Sequence, residues 1–252
     1  MIFSSLEFLC VFLPVVFALY CVIPSLKAKN ALLIVASLFF YAYGEPVYVL
    51  LMIFSAIVNY AMARLIDRGQ RAKKVFLVID IALNLGMLAV FKYADFAVDT
   101  VNRLLSVRIP QPGITLPIGI SFFTFQALSY VIDVYWERVE AQKSFWNILL
   151  YISFFPQLIA GPIVKYRDIN EAITNRSMDA DEIARGLRRF ICGLGKKVLI
   201  ANTAGLAADH IFAAAHSKVN IVVAWIGAIA YLMQIYYDFS GYSDMAIGLG
   251  HM

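Results

Sequence analysis

Mainly apolar stretches long enough to cross a bilayer recur along most of this sequence; a helix needs about 20 such residues to span the hydrocarbon core. The solvent for such a chain is lipid. Composition points the same way: 62% of residues are hydrophobic and 15% are charged, against roughly 25% charged in soluble domains. In lipid every backbone amide must find its partner within the protein, which leaves helices or closed barrels as spanning structures. These stretches are continuous, whereas a barrel strand alternates polar and apolar residues over about 10 positions. The sequence therefore predicts an all-α polytopic integral membrane protein, with residues 1–252 forming one membrane domain.

The first apolar stretch, 6–24, lacks the basic leader and small-residue cleavage site of a secretory signal peptide and is expected to remain in the mature protein. Further segments are expected at about 31–43, ending at Gly44-Glu45-Pro46, and at 47–63. A fourth is expected at 75–91, followed by a polar connection containing Lys92, Asp95, Asp99, Arg103 and Arg108. The fifth, 114–135, contains Pro117, and Asp133 near its end reads as an interfacial anchor. The stretch 145–160 carries Pro156 and ends at Gly161-Pro162, so a broken or re-entrant helix is expected there. From 168 to 197 the pattern is amphipathic and charged, with Asp179 as an N-cap ahead of Glu182, and predicts an interfacial helix. Apolar segments at 198–213 and 219–237 follow.

Basic residues orient the bundle. Lys27, Lys29, Arg64, Arg68, Arg71, Lys73, Lys74, Arg138 and Lys143 fall in alternate loops on one side, against Lys92, Arg103 and Arg108 on the other. The positive-inside rule then places 64–74 in the cytoplasm and the N-terminus outside. The basic stretch beyond 165 stays cytoplasmic if 145–160 returns to its own side. Because the basic residues cluster beside apolar segments, they form no continuous nucleic-acid face. Cys10, Cys21 and Cys192 are widely spaced in apolar surroundings and contain no Cys-x-x-Cys pair, so they read as buried small hydrophobes and no metal site is expected.

Polar groups at membrane depth are costly and are the first places to look for function. Three clusters qualify: the Phe-Pro-Gln-Leu-Ile-Ala-Gly-Pro run at 155–162, Gly193-Leu194-Gly195-Lys196-Lys197, and the stretch 236–244. The second is no phosphate loop, since no Ser or Thr follows Gly-Lys and no strand precedes it. Close helix packing beside an interfacial basic pair is one reading of Lys196 and Lys197; contact with an anionic head group is the other. In the third, Asp238 and Asp244 are six residues apart and sit on different faces of a regular helix. Ser240 shares a face with Ser243 and with Asp244. With Tyr242, these residues are read either as a hydrogen-bonded lining of a polar passage or as glue between helices, with the helix expected to break near Gly241.

Four segments, in order, also carry a family resemblance: Met1-Ile2-Phe3-Ser4-Ser5, the run from Leu116-Pro117-Ile118-Gly119 to Phe125-Gln126, the Phe-Pro-Gln-Leu-Ile-Ala-Gly-Pro-Ile run at 155–163, and 237–248. The chain resembles the N-terminal portion of a membrane-bound O-acyltransferase of the alginate O-acetyltransferase type, and 238–248 favours that branch over the one that D-alanylates teichoic acids. The resemblance implies acyl transfer from a cytoplasmic thioester donor, acetyl-CoA or an acyl carrier, toward an extracytoplasmic glycan, in the inner membrane of a bacterium. It implies a glycan acceptor or a partner acetyltransferase outside the membrane. On this reading Gln157 offers a hydrogen bond to the acyl thioester or phosphopantetheine, while Lys196 and Lys197 are donor-phosphate or head-group contacts. The family's catalytic histidine sits in a Trp-His-Gly-like setting downstream of the last match, so no catalytic residue is assigned here and the portion carrying it is expected beyond residue 252. His210, His216 and His251 match no such motif and read as interfacial or packing residues. The competing function is a transporter or export scaffold without its own chemistry, motivated by broken helices and intramembrane acids.

Overall fold

A computed structural model describes residues 3–69, 71–158, 161, 164–176, 179–214 and 220–252, and among these the regular structure is entirely helical. A π turn at Phe8–Phe12 leads into α1 (Leu13–Val22), followed by α2 (Leu26–Gly44), α3 (Tyr48–Arg68), α4 (Lys73–Leu105) and α5 (Ile120–Tyr135). Then come α6 (Phe145–Ser153), α7 (Phe155–Leu158), α8 (Tyr166–Thr174) and α9 (Ala180–Gly195). A second π turn, Lys196–Ala201, joins α9 to α10 (Asn202–Phe212), and α11 (Ile221–Gly250) is the last of the described helices. Among the described residues, five helical runs are long and apolar enough to span a bilayer, namely α2, α3, α4, Ala180–Phe212 and α11. They expose large apolar side chains, among them Leu50 at 67%, Leu199 at 72% and Trp225 at 66%. That surface suits lipid as solvent, which makes no demand that apolar groups be hidden.

Contacts group the chain into two compact units, one of Leu19–Ile159 with Ile163–Arg176, the other of Met1–Ala18, Ala160–Pro162 and Ser177–Met252. In the first, α3 packs on α4, α5 and α6, and α2 on α6. Buried aromatic residues Tyr130, Tyr151 and Tyr166 meet edge to face with ring centroids 4.8 to 6.4 Å apart. Side-chain bonds sort the loops into two ends. At one, the Tyr41 hydroxyl donates to the Ile118 carbonyl (3.0 Å) and the Tyr48 hydroxyl to that of Thr115 (3.0 Å). At the other, Tyr60 bonds the Lys143 carbonyl (2.9 Å), Arg64 that of Ala141 (3.3 Å), and Lys73 the carboxylate of Glu137 (2.8 Å). The Lys73 ammonium holds the Glu137 carboxyl below its usual range, chiefly through that bond.

The segment 145–158 is broken as expected: α6 stops at Ser153, Phe154 leaves the helical conformation (φ −52°, ψ 111°), and the Phe155 amide donates to the Ser37 hydroxyl (3.1 Å). The chain also comes back to the end it left, because the Gln142 amide donates to the Tyr166 hydroxyl at 2.7 Å. Burial pushes the Tyr166 phenol up and the Gln142 bond pulls it down. Ile159, Ala160, Pro162 and Ile163 of that motif lie outside the described residues.

Several expectations need correction. The polar stretch after residue 91 is not a connection: α4 runs on to Leu105, about 50 Å of helix. Its polar residues instead hold the following loop. Both groups of the Asn102 side-chain amide bond the Ile109 backbone at 2.8 Å, and Asp95 and Asp99 accept from Gly113 and Gln111. The fifth helix starts only at Ile120, after Gly119 at φ 77°, a conformation that suits glycine. The amphipathic stretch 168–197 is two helices, α8 and α9, and α9 continues helically to Phe212 instead of ending at the interface. All three cysteines are exposed, since an apolar thiol on a lipid-facing helix has no need of a protein core.

Candidate functional site

The polar cluster in the second unit is built by α9 and its π turn crossing α11. Two glycine pairs set the approach. A methyl group at Gly193 would stand 2.6 Å from the Gly241 carbonyl oxygen, and one at Gly186 would stand 2.5 Å from that of Gly248. The reverse distances, 2.7 and 2.6 Å, are equally prohibitive. The pairs are seven residues apart on each helix and run in opposite directions, so the helices cross antiparallel with their backbones in contact, the small-residue packing of membrane interfaces. The break expected near Gly241 is absent, because α11 is continuous from Ile221 to Gly250. Gly241 answers a demand for space.

Close approach brings the charges together. Asp244 accepts from Lys196 Nζ at 2.5 Å and from Arg189 Nε at 3.0 Å, and Lys196 also donates to the Ser240 hydroxyl at 3.3 Å. Lys197 pairs with Asp238. The carboxylates do lie on different faces and take different cations. Asp244 is 18% exposed in its side chain and Asp238 51%, so Asp244 is the group whose charge most needs its partners. The cations sit where α9 passes into the π turn, a local widening frequent at functional sites. Three cations face two carboxylates, leaving one positive charge in excess.

Tyr242 is buried, its ring stacked on Phe3 at 4.7 Å between centroids. Ser243 lies half-buried on α11 between them. Gln157 belongs to the other unit, where its amide donates to the Tyr151 carbonyl at 2.7 Å, a bond that Gln126 duplicates at 2.7 Å. That carbonyl is freed by the end of α6, so the broken helix supplies its own reason for a buried glutamine. Asp133 is 5% exposed and 3.6 Å from Arg138. His210 and His251 are exposed at the ends of α10 and α11, and His216 lies outside the described residues.

Sequence reasoning missed Arg189, which was hidden in the amphipathic pattern, and the pairing of Gly186 with Gly248. It also missed a buried polar group in the first unit. There Asn59 and Asn84 exchange amide bonds at 3.1 and 3.2 Å, and Asp80, fully buried one turn from Asn84, has no hydrogen bond to either carboxyl oxygen among the described residues. The available signal was polar residues in the middle of otherwise apolar spans.

Comparison with known proteins covers both units. The family model of the membrane-bound O-acyltransferases matches residues 136–252, a region that contains every charged group of the α9–α11 crossing. A probable alginate O-acetylase of Pseudomonas aeruginosa is 40% identical over 100% of this chain and 49% of its own length. A peptidoglycan O-acetyltransferase of Helicobacter pylori is 35% identical over 99% of this chain and 54% of its own. A teichoic acid D-alanyltransferase of Bacillus subtilis is 27% identical over 54% of this chain. The chain thus spans about half the length of the curated relatives it matches throughout. With an all-helical membrane architecture and ordered similarity along its full extent to these relatives, the chain carries the family model of the membrane-bound O-acyltransferases over residues 136–252.

Proposed function

We propose that this chain is part of an enzyme that transfers an acetyl group from a cytoplasmic thioester donor to a glycan outside the inner membrane of a bacterium. The observation that carries this reading is the ion-paired crossing of α9 and α11, which lies within the region matched by the family model. Similarity to an alginate O-acetylase and a peptidoglycan O-acetyltransferase supports O-acetylation of a glycan. Arg189, Lys196 and Lys197 suit the phosphates of coenzyme A or a phosphopantetheine carrier, and Asp238, Ser240, Ser243 and Asp244 form the polar wall of the acyl or acceptor passage. A partner acetyltransferase outside the membrane is the natural recipient where the glycan itself is not. The reacting histidine that the resemblance implies matches none of His210, His216 and His251.

In the full-length enzyme, Asp238→Asn is expected to abolish acetyl transfer to the glycan while accumulation and membrane insertion stay normal, because the amide keeps the volume and loses the charge. Normal acetylation by this variant would remove Asp238 from the passage, and failure to accumulate would make it a structural ion pair. Substrate flux through proteoliposomes of the unmodified enzyme, without acetyl transfer, would replace the enzyme reading with an export scaffold.

A further inference from the structure

A cavity of about 930 Å³ lies within the first unit, where α2 begins beside α6 and the end of α8. Its lining is graded along α2. Along that helix it runs from Ser25 and Lys27 to Ala31, Ile34 and Val35, and Trp146, Asn147 and Ile173 also line it. From Lys27 to Ile34 is about 10 Å along the axis. The cavity is therefore amphiphilic in one direction, with its polar end where the spanning helix starts. Among the described residues Lys27 is the only charged one that lines it. Two more cations adjoin the lining in sequence: Lys29, over the Tyr20 ring at 4.6 Å, and Arg176, whose Nε donates to the Tyr20 hydroxyl at 2.6 Å. The helix itself is anchored to α8 by Asn30, which donates to the Ile173 carbonyl at 3.0 Å. This end also carries Arg64, Lys73 and Lys143, the basic side of the bundle.

We infer that this groove is a binding site for one phospholipid of the surrounding bilayer with an anionic head group. The head-group phosphate sits at Lys27 and Ser25, and an acyl chain lies along Ala31, Ile34, Val35 and Trp146. Charge complementarity selects the anionic class, because no carboxylate among the described residues lines the groove and a basic pocket between helices at the cytoplasmic face recruits anionic lipid. The position selects a bilayer lipid over a soluble phosphate, since the apolar wall runs on into the span, with Val35 65% and Trp146 63% exposed. The inference is independent of the acyl-transfer reading, which rests on the α9–α11 crossing in the other unit.

Native mass spectrometry of the purified protein in detergent, titrated with phosphatidylglycerol or phosphatidylcholine, tests it. The expected result is one retained phosphatidylglycerol, bound in preference to phosphatidylcholine. Lys27→Gln should weaken it about fivefold, the loss of one lysine at an anionic surface, and Lys27→Arg should restore it. Ala31→Trp should exclude the lipid by filling the groove from an exposed position; Ala31→Leu, a smaller intrusion, serves if the first variant does not remain monodisperse. Equal retention by all variants, or equal binding of the two lipids, would overturn the inference. So would displacement of the lipid by coenzyme A, which would assign the groove to a soluble phosphate compound.

Discussion

A glycine inside a membrane helix can mark a break or a place where two backbones touch, and the two uses leave the same letter in the sequence. Gly241 belongs to the second kind, since α11 is continuous and the Gly193 carbonyl oxygen occupies the space a side chain would need. The helix-propensity cost of glycine, about 1 kcal/mol against alanine, is offset by an approach that only glycine permits. Substituting Gly241→Leu or Gly193→Leu should therefore destabilise the protein by about 1–3 kcal/mol or more through overpacking. The matching change at Gly195, with open space around its Cβ position, should be close to neutral. Thermal unfolding in detergent reads this difference, and equal effects at Gly193 and Gly195 would contradict the crossing. The same scale separates the two acids. Asp244 holds two cations and Asp238 one, a distinction invisible in a helical-wheel argument that places them only on different faces.

At the scale of elements, the break between α6 and α7 was legible because proline and glycine are strong local signals. What satisfies it was not. The Tyr151 carbonyl receives two glutamine amides, one from α5 and one from α7, and such a partnership exists only after the elements pack. Replacing either Gln126 or Gln157 by leucine should cost about 1 kcal/mol, whereas the double replacement leaves a buried carbonyl unpaired and should exceed the sum of the two by about 1–2 kcal/mol. If Gln157 touches the acyl group as well, its single variant loses acetylation while Gln126→Leu of equal stability does not; equal activity in the two variants would confine Gln157 to structure. Helix α4 carries the opposite lesson. Its polar C-terminal third reads as a connection, yet Asp95, Asp99 and Asn102 stay helical because the loop they hold supplies their partners.

For the whole molecule, the two ends of the first unit make a topological prediction. In a background with Cys10, Cys21 and Cys192 replaced, a cysteine at Gly113 should react with an impermeant reagent in intact cells and one at Asn175 should not. Reaction at both would refute the return of 145–158 to its own side, and the reverse pattern would invert the orientation taken from the basic residues. Hydrophobic content, the continuity of the apolar stretches and the charge of the loops were enough to define an all-helical membrane protein, because the bilayer imposes one length scale and one backbone rule on every spanning segment. The ordered motifs were enough to indicate the family. The pairing of Gly193 with Gly241, of Asp244 with Arg189 and Lys196, and of the Tyr151 carbonyl with two glutamines belongs to the tertiary structure alone. In each case residues from different helices satisfy one another, and a local pattern cannot say which partner, among several of the right chemistry, the packing will bring within a hydrogen bond.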